Sequence, residues 1–336
     1  MTPGVTNPAT NPATNPVTRP LRPAPLLALV VPCYNEAETL PRTMDALSRL
    51  LDDCKARGLV RPESYALYVD DGSRDATWDL IERRHAADAA CRGVKFAGNA
   101  GHQNAVWAGM EAARDWGADC IISLDADLQD DIAVIPEMLA RYAEDCDIVY
   151  GVRGSRSTDT PFKRGTARFF YALMRRLKVS VIPDHADYRL VARPVLTALA
   201  GYGEQSLFLR GLFPTMGFTT ATVRYARLAR QAGESKYPLR KMLSFAWRGI
   251  TSCSAAPLRV AGLMGFVCMV VALLLCCVTL WKYALGETLQ GWTSLIIVTL
   301  LLGSVQLFCL AVMGEYIAKI FTEVRHRPRY IVEKTL

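Results

Sequence analysis

Two stretches near the end of the chain limit its folding options more than anything else in it: Val260 to Leu280 and Leu295 to Met313 contain no charged residue. At 1.5 Å per helical residue, each is long enough to cross a hydrocarbon layer about 30 Å thick, and core helices of that length without a charge are uncommon. Two transmembrane helices are therefore expected, at about 260–280 and 295–316, within a segment 259–318. The link between them holds Lys282, whereas Arg240, Lys241, Arg248 and Arg259 precede the pair and Lys319, Arg325, Arg327, Arg329 and Lys334 follow it. Such a bias puts both flanks on the cytoplasmic side, with residues 319–336 as a basic cytoplasmic tail. Upstream, Lys241 to Ser254 mixes Phe245, Trp247 and Ile250 with Arg248. That mixture predicts an amphipathic segment, 239–258, lying in the membrane interface.

Residues 1–25 open with the near-repeat Asn7-Pro8-Ala9-Thr10, Asn11-Pro12-Ala13-Thr14. A proline every fourth residue blocks helix and sheet alike, so a disordered tail is expected. It also lacks the apolar centre of a signal peptide.

From 26 to 238 the pattern is that of one α/β domain. The aliphatic run Leu26 to Pro32 meets Cys33-Tyr34-Asn35-Glu36 and then a helical pattern, Thr39 to Leu51. Tyr65 to Val69 stops at Asp70-Asp71-Gly72-Ser73-Arg74-Asp75 before helical residues Thr77 to His85. A third run, around Val94-Lys95-Phe96, precedes Asn99-Ala100-Gly101-His102 and a helix from about Gln103 to Trp116. A fourth, Ile121 to Leu124, ends in Asp125-Ala126-Asp127-Leu128-Gln129-Asp130-Asp131. Strands alternating with helices imply βαβ units and a mostly parallel sheet, in which ligands bind beyond the carboxyl ends of the strands. All four polar clusters fall at that end, which favours a nucleotide pocket.

Taken singly, each cluster has an ordinary alternative. Asp70 to Ser73 is also a plausible capped turn, and a lone histidine such as His102 more often packs or caps than reacts. A strand's two-residue period would put Asp125 and Asp127 on one side of the backbone, where their oxygens could share a divalent ion. A strand running into a solvated acidic turn has the same sequence. After Tyr150, Arg153, Arg156, Lys163, Arg164 and Arg168 arrive in quick succession beside Phe169-Phe170-Tyr171. This is either a solvated basic face or a clamp for phosphate, since a guanidinium binds two phosphate oxygens at once.

The net charge of +7 divides unevenly: residues 1–150 carry 14 Lys and Arg against 23 Asp and Glu, and residues 151–336 carry 25 against 9. The acidic half suits a metal and the basic half an anionic surface. Much of the basic charge flanks the apolar segments, which points to a bilayer and away from nucleic acid. The ten cysteines show no C-x-x-C pair and no zinc-like Cys/His spacing, so they read as small buried residues in a reducing compartment.

Together the motifs Val30-Val31-Pro32-Cys33-Tyr34-Asn35-Glu36, Val69-Asp70-Asp71-Gly72-Ser73-Arg74-Asp75, Asn99-Ala100-Gly101-His102-Gln103-Asn104-Ala105, Leu124-Asp125-Ala126-Asp127-Leu128-Gln129-Asp130, Asp187-Tyr188-Arg189-Leu190 and Gly233-Glu234-Ser235-Lys236-Tyr237 resemble those of family-2 glycosyltransferases. The likeness is to the polyprenyl-phosphate branch, which includes dolichyl-phosphate mannose synthases, bactoprenol glucosyltransferases and undecaprenyl-phosphate aminoarabinose transferases. It runs from about residue 26 to the C-terminus and implies a GT-A fold. By that resemblance Pro32, Tyr34, Glu36, Asp70, Asp71, Asn99, His102, Asp125, Ala126 and Asp127 bind a UDP-sugar. Asp125, Asp127 and Gln129 hold Mg²⁺ or Mn²⁺. Arg153, Lys163, Arg164, Arg230 and Lys236 meet the phosphate of a polyprenyl acceptor, and Asp125, Asp127, Arg153 and Lys236 carry catalysis. The same likeness implies a homotetramer in a bacterial cytoplasmic membrane. Relatives commonly place arginine just before the Asn-x-Gly element, where this chain has Gly98.

The expected chemistry agrees. A phosphate monoester has its second ionisation near pH 6, so its oxygen is already nucleophilic at neutral pH and no general base is required. Single displacement with inversion is expected. The alternatives are a processive polysaccharide synthase, whose Gln-x-x-Arg-Trp motif does not occur here, or a non-catalytic membrane scaffold on a nucleotide-binding fold.

Overall fold

The computed structural model describes residues 21–154, 185–205, 207–226, 256–285 and 291–336. Its aliphatic runs become strands covered on both faces: β1 (Leu27–Cys33) and β2 (Tyr65–Asp70) are buried at every residue. Continuous apolar runs of this kind, without alternation, are what a central strand between two helical layers requires. Six further strands complete the sheet: β3 (Cys91–Phe96), β4 (Cys120–Ser123), β5 (Ile148–Arg153), β6 (His185–Ala192), β7 (Thr220–Tyr225) and β8 (Val332–Thr335). Their spatial order is β7-β5-β6-β4-β1-β2-β3-β8. The pairs β1/β2, β1/β4, β2/β3 and β5/β7 are parallel, while β4/β6, β5/β6 and β3/β8 are antiparallel.

Helices cover both faces. On one lie α1 (Leu40–Ala56), α2 (Thr77–Ala87) and α4 (Ile135–Ala143); on the other lie α3 (His102–Asp115), α5 (Arg193–Leu199) and the short α6 (Leu209–Leu212). In α1 the buried residues Leu40, Met44, Leu47, Leu51 and Cys54 recur at helical spacing, and Pro41 sits in the first turn, where a missing N–H costs nothing. On the other face Gly109 lets α3 close onto the sheet, because a Cβ there would strike Val30. Trp107, 1% exposed, fills the space beside it, and its truncation would cost about 3–5 kcal/mol.

The strand order reverses at β1. From β1 the chain adds β2 and β3 on one side, then returns to place β4 on the other. Loops after β1 and β4 therefore leave the same edge side by side, at the crevice where doubly wound sheets bind ligands.

The C-terminal helices are α7 (Ala256–Ala284) and α8 (Trp292–Val324), both longer than the expected spans. Their apolar side chains face outward, Leu263 being 62% and Leu307 69% exposed, a surface that only lipid or another apolar partner would cover. Two other expectations change. Lys319 to Val324 continue α8 instead of opening a tail, and the chain then pairs with the sheet edge as β8, antiparallel to β3. Tyr330 stacks on Phe96 with ring centres 4.7 Å apart, and the backbones of Leu336 and Gly93 exchange hydrogen bonds. The apolar hairpin is thereby tied to the far edge of the sheet. At the other terminus, order begins before residue 26: Arg22 donates to Asp145 and Asp147 at 2.6 and 2.8 Å.

Eight cysteines are unpaired among the described residues, with Cys33, Cys54, Cys91 and Cys120 buried. Burial pushes the Cys91 thiol up to about 12, which makes it inert packing. Residues 1–20, Lys163, Arg164, Arg230, Lys236 and nearly all of the amphipathic segment 239–258 lie outside the described residues.

Candidate active site

The first two loops are stitched together by side chains. After β1 the backbone turns at Asn35, whose φ is 55°. The N–H groups of Asn35, Glu36 and Ala37 donate to Ser73 Oγ, Thr77 Oγ1 and Asp75 Oδ2 at 2.9, 2.9 and 3.0 Å, and Asn35 Oδ1 accepts from Arg74 N at 2.9 Å. This lattice leaves Tyr34 45% exposed at the mouth, beside Glu36, which accepts from Thr39 Oγ1. Asp70, at the end of β2, is fully buried; Oδ1 accepts from Ser73 N, while Oδ2 has no partner. Burial raises its pKa.

The next carboxylate has a different task. Asp71 accepts from Ala100 N at 2.6 Å, Gly101 N at 3.0 Å and Asn99 Nδ2 at 3.1 Å. It thus fixes the Asn99–Gly101 loop, with Asn99 itself serving as a tie. Gly72, φ +68°, permits the approach: a Cβ would sit 2.6 Å from the Gly98 carbonyl carbon. Gly101, φ 96°, then launches α3 with His102 as its first residue.

The acidic loop departs from the strand expectation. β4 ends at Ser123, and Asp125 to Gln129 form a turn in which Leu128 takes a φ of 49°. The two carboxylates are grouped by turn geometry, and strand alternation does not apply to them. Ala126, buried, has its carbonyl held by Thr43 Oγ1 at 2.6 Å, and Asp127 Oδ1 accepts from Gln129 N at 3.1 Å. Gln129 is itself 5% exposed. His102 Nε2 stands 3.8 Å from Asp125 and 3.8 Å from Asp187. The first and fourth sequence clusters are joined through Thr43, and the third and fourth meet at His102.

Asp187, on β6, was quoted above only as part of a motif. It receives two guanidiniums: Arg189, fully buried, and Arg210, which donates from Nη2 at 2.9 Å and Nε at 3.2 Å. Opposed by burial, those cations still hold the Asp187 carboxyl well below its usual range. Three groups were thus missed from the expected site: Asp187, Arg189 and Arg210. Alternation along a strand would have placed Asp187 and Arg189 on one face, but nothing local announces Arg210. At the end of β5, Arg153 reaches the same neighbourhood from the other side, 3.7 Å from Asp130. Pro32 is an internal residue of β1, paired with Val69, so any ligand contact from it is backbone-level.

Asp125 is 45% exposed in a crowded cleft. Desolvation first, then the charges of Asp187, Asp130 and Asp127, push its pKa up to about 6 against the opposing pull of His102. The loop therefore concentrates carboxylates in one place, as a cation-binding loop does. Among the described residues no three His, Cys, Asp or Glu side chains converge into a complete cage. The donors on this turn, the carboxylates of Asp125 and Asp127, are hard oxygens of the kind that bind Mg²⁺ or Mn²⁺ together with phosphate and water.

A parallel-centred sheet reversing at β1, with an acidic turn at the switch point and arginines around it, is a GT-A-type nucleotide-binding arrangement. Residues 28–199 match glycosyl transferase family 2, and residues 256–320 match the GtrB C-terminal hairpin. The chain is 47% identical over 309 residues to the uncharacterized glycosyltransferase YkoT of Bacillus subtilis, covering 92% of this chain and 91% of the relative. It is 35% identical to the SfII prophage-derived bactoprenol glucosyl transferase of Shigella flexneri, covering 92% and 98%. It is 34% identical to the prophage bactoprenol glucosyl transferase homolog of Escherichia coli, again covering 92% and 98%. The chain belongs to glycosyl transferase family 2.

Proposed function

We propose that this protein transfers a hexose from a UDP-sugar to undecaprenyl or another polyprenyl phosphate, with inversion, at the cytoplasmic face of a bacterial membrane. One observation carries the reading: the acidic Asp125–Gln129 turn lies at the switch point of a sheet whose edge strand β8 is the direct continuation of the apolar hairpin. A soluble donor and a membrane-bound acceptor could meet there. The bactoprenol glucosyl transferases named above support that acceptor, and a homotetramer is part of the same reading.

Tyr34, Glu36, Asp70 and His102 line the donor side, while Asp71 and Asn99 hold the loop that presents His102. Asp125, Asp127 and Gln129 would hold Mg²⁺ or Mn²⁺, which when bound supplies charge stabilisation for the leaving diphosphate. Arg153 would orient an acceptor phosphate, with Lys163, Arg164, Arg230 and Lys236 as further acceptor contacts. Because that phosphate is ionised at neutral pH, the residues need only align its oxygen with the anomeric carbon. Asp187, kept anionic by two arginines, faces His102 across the cleft.

The test is a donor panel. Purified protein in detergent, undecaprenyl phosphate and Mn²⁺ are incubated with UDP-glucose, UDP-galactose, UDP-N-acetylglucosamine or UDP-aminoarabinose, and the lipid is weighed by mass spectrometry. One donor should yield a lipid heavier by one sugar, with UDP released in equal amount. Absence of a glycosylated lipid with every donor would sink the proposal, and a growing polysaccharide would favour a processive synthase.

Gly98 offers a second expected result. It is exposed, and a Cβ at its position meets nothing within 4 Å. Gly98→Arg should fold normally and lower the donor KM by roughly threefold to tenfold, the range for one hydrogen bond to a charged group partly weakened by solvent. An unchanged donor KM would mean that the family's arginine at this place acts elsewhere.

A further inference from the structure

Tyr225 closes β7 directly opposite Arg153 of β5. Its phenol, 3% exposed, donates to Asp130 Oδ1 and accepts from Arg153 Nε at 3.4 Å. Arg153 Nη2 stands 3.7 Å from that same Asp130 oxygen, beyond hydrogen-bond range. Asp130 is 4% exposed and follows directly on the Asp125–Gln129 turn. A buried carboxylate beside a guanidinium ordinarily closes to about 2.7–2.9 Å. Here a hydroxyl stands between the two groups, giving its proton to the acid and its lone pair to the arginine. The Arg153 side chain is left 34% exposed.

We propose that Tyr225 is a positioning residue that holds Arg153 off Asp130, so that the guanidinium faces the cleft and can take an anionic phosphate. The inference rests on the transferase reading above for the identity of that phosphate. Tyr188 supplies an internal control. It packs edge-on against Tyr225 with ring centres 5.4 Å apart, and its own hydroxyl donates to the Asp131 carbonyl at 3.2 Å. It belongs to the same aromatic pair and holds the same Asp130–Asp131 segment, yet it makes no bond to Arg153. Without the Tyr225 hydroxyl, Arg153 should collapse onto Asp130 and leave the cleft. Without the Asp130 charge as well, nothing draws it there.

The experiment compares Arg153→Ala, Tyr225→Phe, Tyr188→Phe and the double variant Tyr225→Phe/Asp130→Asn with wild type, all as full-length protein in detergent. Steady-state constants for UDP-sugar and undecaprenyl phosphate are measured, together with metal-free binding of farnesyl phosphate and of UDP by calorimetry. Arg153→Ala identifies which substrate's constant depends on the guanidinium. Tyr225→Phe should raise that same constant about tenfold, as expected for a lost bond to a charged group. Tyr188→Phe should leave it within about twofold while lowering the melting temperature at least as much, and the double variant should recover most of the loss. The proposal is overturned if Tyr225→Phe leaves that constant at the wild-type value, if Tyr188→Phe moves it equally, or if Asp130→Asn gives no recovery. Should wild type transfer no sugar at all, the transferase reading fails by itself. The calorimetric ranking of the variants then still decides whether Tyr225 places Arg153.

Discussion

Asp125→Asn should lose about 10³-fold in sugar transfer and yet melt no lower than wild type, and higher at alkaline pH. The two halves of that result share one cause. Asp125 lies in a crowded cleft among Asp127, Asp130 and Asp187, and its pKa is pushed up to about 6. A carboxyl whose folded pKa lies above its unfolded value near 3.9 opposes folding once ionised. That cost is absent below about pH 4, grows as pH rises, and is complete above about pH 6. Replacing the acid with its neutral isostere removes it, so the difference in melting temperature should vanish at pH 4 and be full at pH 8. In the proposed function the lost carboxylate is also one of those that would hold a divalent ion beside the donor diphosphate. A thousandfold is the upper end of what one electrostatic contact to developing charge supplies. Transfer rates and thermal melts of the two proteins across that pH range test both statements; a variant that stays active, or that melts lower at pH 8, would contradict the account.

How far the residues themselves foretold this can be argued case by case. The four apolar runs and their polar ends were legible because a buried parallel strand has to be apolar throughout, and its ligands come from the loop that follows. The grouping of Asp125 with Asp127 was legible too, but its geometry was not. Strand alternation was the expected cause, whereas a turn with Leu128 at positive φ brings them together. Positive φ at a leucine is a tertiary outcome, enforced here by Thr43 and Tyr225 gripping the loop on either side, and no local propensity foretells it. Asp71 shows a further role that its motif does not display: its oxygens accept from the Ala100 and Gly101 backbone N–H groups. The edge strand β8 was hidden because Val332 to Thr335 read as part of a charged tail, and an exposed edge strand is permitted to look like one. Arg210 was hidden because its partner lies 23 positions away on another element.

Asp187→Asn should destabilise the protein by about 3–5 kcal/mol, far more than any change at its exposed partner. Arg189 is fully buried, and its Nε and Nη1 have no hydrogen-bond partner, so Asp187 is the anion that makes its charge tolerable. Burial first, and the neighbouring Arg210 charge with it, lower the Arg189 pKa against the pull of Asp187, a sign that desolvation weighs on the cation. With Asp187 neutral, a guanidinium would remain in the interior without compensation. Arg210, whose side chain is 33% exposed, shares the same carboxylate but can turn to water, so Arg210→Gln should cost no more than about 1 kcal/mol. The pH dependence follows from the sign of the shift. Asp187 is held below the usual carboxylate range, so its contribution is complete above the unfolded value near 3.9 and fades only as pH falls through the depressed folded value. The deficit of Asp187→Asn should accordingly be flat from pH 5 to pH 8. Asp187→Leu/Arg189→Leu is the decisive comparison, because removing both members of a buried pair is often close to neutral where removing one is not. Recovery of the melting temperature in that double variant, with sugar transfer still depressed, would separate the two services of Asp187: neutralising Arg189 in the core and facing His102 in the cleft. If the double variant melts as low as Asp187→Asn, the buried charge is not what the carboxylate is there to balance.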